Sequence, residues 1–154
     1  MSKIKVDRKN VDAEAPKEED RGIFITVFTD GSHCPKTKAW GVGVWIKGDA
    51  SAHTDSKGGV GLKDSNEVEL EGLNMAAEYI LNNMDVTDKV LIFQCDNTNA
   101  LSNFNHKQFY KHGAKFVKLK HVKGHSGART KRSWVNNLVD KMAGDAMRKY
   151  RGKA

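Results

Sequence analysis

Apolar and polar positions alternate along this chain in segments that read as strands and helices. Ile23 to Asp30 (IFITVFTD) is β-branched and aromatic, which predicts a buried strand ending at an acid. Gly31 to Pro35 predicts a turn. Trp40 to Ile46 (WGVGVWI) predicts a second strand, with glycines alternating against large residues, and Ser51 to Gly59 a weaker third strand and turn. A helix follows, with Ser65 or Asn66 as its cap and Leu70, Leu73, Ala77, Ile80 and Leu81 at helical spacing. Val90 to Asp96 (VLIFQCD) is a short, nearly continuous apolar run that suits a central strand covered on both faces. Residues 97–113 predict a second helix stopped by Gly113. Residues 114–122 alternate apolar and basic positions, as a strand near the sheet edge does. A last helix is expected to start between Ser133 and Asn136 and to run toward Tyr150. The pattern is βββαβαβα, an α/β fold without internal repeats.

Residues 1–21 lack apolar periodicity and are rich in Lys, Asp and Glu, which predicts a disordered or loosely attached tail before one domain, 22–154. The 154 residues are 38% hydrophobic and 29% charged, so a core is affordable under a very polar surface. No apolar run reaches bilayer length and the N-terminus has no signal-peptide stretch, so no membrane role and a cytoplasmic location are expected. Cys34 and Cys95 form no CxxC pair; packing thiols or a disulfide between them are both compatible with the spacing. The net charge of +7 is uneven: Lys111 to Ala154 holds 13 Lys or Arg against two acids, leaving the rest net negative. That asymmetry suits a polyanionic partner, or simply a solvated surface.

Three acids sit at or beside the ends of predicted elements: Asp30 after the first strand, Asp96 after the fourth, and Glu69 in the first turn of the helix between them. Two strand-end carboxylates and one from a helix suit a hard divalent cation such as Mg²⁺. Taken singly, each also suits a turn or a cap.

Together with their surroundings these residues resemble the type 1 ribonuclease H family. TDGS (Thr29 to Ser32) is similar to the family's opening signature, and WGVGVW to its second strand. NEVELEGLNMAAEYIL resembles its first helix, where the catalytic glutamate precedes a leucine, which selects Glu69. QCDNTNAL resembles its strand-end Asp and following cap, which selects Asp96. VKGHSG (Val122 to Gly127) resembles its histidine loop, which selects His125, and NNLVDKMA (Asn136 to Ala143) its final helix motif, which selects Asp140. The motifs arrive in the family's order across residues 23–148.

The resemblance implies a ribonuclease H-like fold: a five-stranded mixed sheet in the order 3-2-1-4-5 with helices on both faces. It implies a monomeric endonuclease that hydrolyses the RNA strand of RNA–DNA hybrids, leaving 5′-phosphate and 3′-hydroxyl ends. Asp30, Glu69, Asp96 and Asp140 would hold two Mg²⁺ ions, or Mn²⁺, with Asp30 bridging them, and His125 would move protons or help product leave. Substrate contacts are expected from the backbone of Gly31, Ser32 and Cys34 close to a sugar, and from Asn66 and Thr98. The chain departs from bacterial relatives in having room for only one helix and one strand between Asp96 and His125, so the inserted basic handle is missing. It also carries an insertion, ARTKRSW, between His125 and Asp140; Arg129, Lys131 and Arg132 there are the expected substitute grip on phosphates. Rival readings are a nuclease of the same fold acting on a DNA junction or transposon end, a non-catalytic nucleic-acid-binding module, and a domain detached from a reverse transcriptase.

Overall fold

A computed structural model of the chain describes residues 6–11, 23–122 and 131–152. The elements run β1 (Val6–Val11), β2 (Phe24–His33), β3 (Ala39–Lys47), β4 (His53–Val60), α1 (Ser65–Asn83), β5 (Val90–Cys95), α2 (Thr98–Asn103), a 3₁₀ helix (His106–His112), β6 (Phe116–Val122) and α3 (Lys131–Arg151). The strands form one sheet in the order β1-β6-β5-β2-β3-β4. β2, β3 and β4 pair antiparallel, whereas β5 runs parallel to β2 and β6 to β5. The five strands from β2 to β6 therefore stand in the expected mixed order.

Strand periodicity sorts the side chains between two layers. Ile25 and Val27 of β2 pack with Leu73, Ala77 and Ile80 of α1. Phe28 points to the other face, where it meets Val135 and Val139 of α3. The glycines of β3 decide how close α3 comes. A Cβ on Gly41 would collide with the backbone of Ala143 and Met147, and one on Gly43 would lie 2.6 Å from the carbonyl oxygen of Val139. Alternate glycines thus let the helix backbone lie directly on the strand.

Five expectations need correction. The first strand does not stop at Asp30 but continues to His33, because Asp30, Gly31, Ser32 and His33 pair with Gly43, Val42, Gly41 and Trp40 of β3. The turn lies beyond, closed by the Cys34 N–H on the Ala39 carbonyl and the Lys38 N–H on that of Cys34. The cap of α1 is Asp64, neither Ser65 nor Asn66. Its carboxylate accepts from the Glu67 N–H at 3.0 Å, while Glu67 reaches back to the Lys63 N–H at 3.0 Å. Glu69 consequently sits past the first turn.

The helix expected over 97–113 breaks at Phe104 into α2 and the 3₁₀ helix. In one straight helix Phe104 and Phe109, five residues apart, would diverge by about 140°. The break buries both rings against Phe93, with centroids 4.9 and 5.4 Å away. α3 starts at Lys131, before the expected Ser133, so Lys131 and Arg132 belong to a helical turn.

The last correction concerns the segment expected to be a loose tail. Its residues 6–11 form β1, parallel to β6, with Val6 opposite Leu119, Asp7 opposite Lys120 and Val11 opposite Val122. The register shifts between Asp7 and Val11. Two valines in a six-residue polar strand carry no alternation strong enough to be read from sequence.

Candidate active site

The parallel pairing of β2 and β5 sets Phe28 opposite Gln94. Two residues further along the chain from each lie Asp30 and Asp96, so the register alone brings both carboxylates to one end of the sheet. Glu69 reaches that end from α1 and Asp140 from α3, so the acids arrive from both layers. Asp30 is at the centre: its carboxyl lies within electrostatic range of those of Asp96, Asp140 and Glu69. All four acids expected from sequence are therefore brought together.

Gly31 organises the pair that is most buried. Its N–H is shared between Asp30 Oδ1 at 2.9 Å and Glu69 Oε2 at 3.2 Å. A Cβ on Gly31 would lie 2.9 Å from Val68 Cγ1 and 3.3 Å from the Glu69 carboxyl. The side of Gly31 where a Cβ would stand thus faces α1. The side chain most completely buried among the acids is Glu69, 6% exposed.

Burial and mutual repulsion set the protonation of this cluster. Burial, then the Asp96 charge, push Asp30 up to about 8, against the Gly31 N–H that favours its anion. Burial, then Asp30 and Asp96, push Glu69 up to about 10. Like charges held this close favour keeping protons on the buried carboxyls, so the raised proton affinities of Asp30 and Glu69 share one cause.

Ligand atoms of Glu69, Asp96 and Cys95 lie within 4.8 Å of one another. The Cys95 thiol is 3.9 Å from Glu69 Oε1. Its burial, with Glu69 beside it, holds the thiol well above its ordinary value, so it stays neutral and leaves the oxygens as the hard donors. Four converging carboxylates fit divalent cations of the Mg²⁺ class.

The remaining candidates are dispersed around this centre. Ser32 lies two residues beyond Asp30 on β2, half-buried, and Cys34 begins the following turn as a free thiol. Cys95 is also free, so no disulfide joins the two. Thr98 is the first residue of α2. Asn66 is exposed on the first turn of α1, one turn before Glu69, and accepts a hydrogen bond from Asn97 at 2.8 Å. Lys131 and Arg132 open α3, and the exposed Trp134 follows them in the same turn. His125 and Arg129 lie outside the described residues.

Three supporting contacts were not foreseen. The Gly31 amide serves two carboxylates, though the sequence places it beside Asp30. His121, opposite Cys95 on β6, bonds through Nε2 to the Asp96 carbonyl at 3.1 Å and so holds the peptide that carries the acid. Asn97 links Asn66 to α2. Only the position of His121 and Asn97 beside strand ends hinted at these roles.

No family model and no curated protein sequence matches the chain. Solved structures do. The N-terminal ribonuclease H domain of a Mycobacterium tuberculosis protein superposes with a TM-score of 0.59 at 14% identity, over 82% of this chain and 95% of that one. LC11-RNase H1 in complex with an RNA/DNA hybrid gives 0.58 at 17%, over 81% and 97%. Ribonuclease H1 of the halophilic archaeon Halobacterium salinarum gives 0.56 at 16%, over 82% and 98%. The chain has the ribonuclease H fold.

Proposed function

We propose that this protein is a type 1 ribonuclease H: a monomeric endonuclease that hydrolyses the RNA strand of RNA–DNA hybrids and leaves 5′-phosphate and 3′-hydroxyl ends. The observation that carries the reading is the convergence of Asp30, Glu69, Asp96 and Asp140 from both layers onto one sheet end, in a fold shared with ribonuclease H domains. A purely structural role would not gather carboxyls so buried that Asp30 is pushed up to about 8 and Glu69 to about 10. The likeness to a domain held with an RNA/DNA hybrid supports the substrate class.

In this reading Asp30, Glu69, Asp96 and Asp140 would hold two Mg²⁺ ions, or Mn²⁺. When bound, the ions supply activation of a water and charge stabilisation on the leaving oxygen of the phosphodiester. The chain's own residues do the positioning. Gly31 orients Asp30 and Glu69 through one N–H, His121 anchors the Asp96 peptide, and the glycines of β3 set the depth of α3 and hence of Asp140. His125 follows the end of β6 by three residues in sequence and would serve as a proton carrier for the leaving group or an aid to product release. Asn66, Thr98, Ser32 and the turn at Cys34 border the acids and would meet the hybrid's sugars and groove edges, where 2′-hydroxyls distinguish RNA from DNA. Arg129, Lys131 and Arg132 would contact phosphates.

The test is a panel of labelled substrates with Mg²⁺: RNA–DNA hybrid, double-stranded RNA, double-stranded DNA and a four-way junction. Cleavage confined to the RNA strand of the hybrid, with products that carry 5′-phosphates and are extendable at their 3′ ends, is expected. Cleavage of the junction instead would replace this reading with a nuclease of another substrate class, and no cleavage of any substrate would refute it.

A further inference from the structure

Asn97 follows Asp96 at the end of β5, and both ends of its side-chain amide are committed. Its Oδ1 accepts from the Ala100 N–H at 2.9 Å as the cap of α2. Because a backbone N–H can only donate, this bond fixes which end of the amide is oxygen. The NH₂ end is therefore forced toward Asn66, whose Oδ1 accepts it at 2.8 Å. The backbone N–H of Asn97 is itself held by Cys95 Sγ at 3.4 Å, so the capping residue is anchored to β5. The consequence passes to the second asparagine. With its oxygen taken by Asn97, exposed Asn66 turns its NH₂ away from that contact, as two donors rather than an ambiguous amide.

We infer that Asn97 is a positioning residue for substrate recognition, which locks Asn66 as a donor-only probe at the rim of the acid cluster. The inference rests on the hybrid-cleaving reading above. Donors match the purine N3 and pyrimidine O2 acceptors that every base pair offers in the minor groove. A fixed donor reads those acceptors without regard to sequence, whereas a freely flipping amide would present its carbonyl half of the time and repel them. Helix cap, amide orientation and groove contact form one chain from the backbone of α2 to the substrate.

The experiment uses the full-length protein with Asn97→Ser and Asn97→Thr, which keep a side-chain oxygen for the cap and lose the donor to Asn66. Both are combined with Asn66→Ala in a double-mutant cycle. Hybrid affinity is read by fluorescence anisotropy in Ca²⁺, and KM and kcat on hybrid in Mg²⁺. Loss of one oriented hydrogen bond should raise Kd and KM about three- to tenfold, with kcat changed less than about twofold and the melting temperature held by the retained cap. In the Asn66→Ala background the same Asn97 substitutions should have little further effect on Kd. Unchanged Kd and KM in both single variants would overturn the inference while leaving hybrid cleavage by the unaltered protein intact. Equal losses with and without Asn66 would also overturn it, since Asn97 would then act independently of Asn66. Failure of the unaltered protein to bind or cut hybrid would instead remove the functional reading beneath it.

Discussion

Strand β5 passes through two regions built on opposite principles. At Phe93 it lies in an apolar cluster with Phe104, Phe109, Leu101 and Val117, where every contact stabilises the fold. Three residues later, at Asp96, the chain joins four carboxylates whose burial and mutual repulsion raise the proton affinity of Asp30 and Glu69. The first region specifies the structure and the second strains it. A rigid core adjacent to the acids is what keeps like charges together that would separate on a looser scaffold. Stability and chemistry should therefore respond differently to substitution in the two regions.

The largest contrast is expected between Asp96→Asn and Phe109→Ala. With Asp96 a metal ligand as proposed, Asp96→Asn should lower kcat by several orders of magnitude with the fold and hybrid binding retained. Truncating the fully buried Phe109 should cost about 3–5 kcal/mol of stability, while the fraction that remains folded cuts at the ordinary rate. Turnover of Asp96→Asn close to the unaltered protein's would remove Asp96 from the chemistry and dissolve the contrast.

Gly43→Ala should couple the two regions. The new Cβ would meet the Val139 carbonyl at 2.6 Å and Met142 Cβ at 2.9 Å, both backbone or near-backbone atoms of α3 that cannot swing aside. The helix must shift, costing about 1–3 kcal/mol. Asp140 follows Val139 and moves with it, and a displacement near 1 Å is enough for about a hundredfold loss in rate. Normal kcat in a destabilised Gly43→Ala protein would show that Asp140 is not placed by this contact.

Much of this organisation was legible in the sequence, for reasons that differ by element. β2, β3, α1 and β5 were readable from their apolar patterns, and Asp30 and Asp96 because each adjoins such a strand; Glu69 was singled out, and Asp140 found at all, only through the resemblance of their motifs. The split of 97–113 was not, since it depends on two rings reaching one cluster, a tertiary demand that overrides local helical spacing. The cap at Asp64 was hidden by three neighbouring residues of similar capping capacity, Asp64, Ser65 and Asn66. β1 was hidden because a strand held chiefly by backbone pairing to an edge needs no apolar alternation. The close approach of Gly31 to α1 was not legible: a glycine beside a strand-end acid signals proximity, and sequence does not say to what. His125 and Arg129 remain expectations from sequence alone.

A smaller effect follows from the protons held by the acid region. Asp30 and Glu69 bind protons more tightly folded than unfolded, where carboxyls titrate near their ordinary values of 3.8 and 4.5. Their contribution to stability is therefore fully present below about pH 4 and is lost as pH rises through about 8 for Asp30 and about 10 for Glu69. Chelator-treated protein should melt progressively lower as pH is raised from about 5 to about 9. Mg²⁺ should raise the melting temperature more at the higher pH, because the cation takes the place of protons already lost. Asp30→Asn should raise the metal-free melting temperature at the higher pH and shrink the Mg²⁺ increment. A Mg²⁺ increment independent of pH and of Asp30 would place the ion elsewhere.

Charge at the start of α3 should affect binding more weakly than chemistry. Arg129→Ala, Lys131→Ala and Arg132→Ala together should raise KM with little change in kcat. For every phosphate that loses its cation, the slope of log affinity against log salt should flatten by about 0.7–0.9. An unchanged slope would move the grip to Lys115, Lys118 or the far end of α3.

The smallest expected effect concerns β1, which belongs to neither region. Deleting residues 1–20 removes six residues of parallel pairing and uncovers the edge of β6. The register is irregular, so the loss should be modest, about 1 kcal/mol, and lower the melting temperature by roughly 2–4 °C. β1 pairs with β6 as far as Val122, the last residue before the segment that carries His125. Two outcomes separate its possible roles. If β1 only covers an edge, the melting temperature falls while kcat and the Mg²⁺ increment stay unchanged, and the uncovered edge adds a concentration-dependent tendency to associate. If β1 braces the strand that precedes His125 in sequence, kcat falls as well, with hybrid affinity and Mg²⁺ response intact. The first outcome is expected, because the pairing ends at Val122, three residues before His125. A fall in kcat with an unchanged melting temperature would assign this strand to the active site instead.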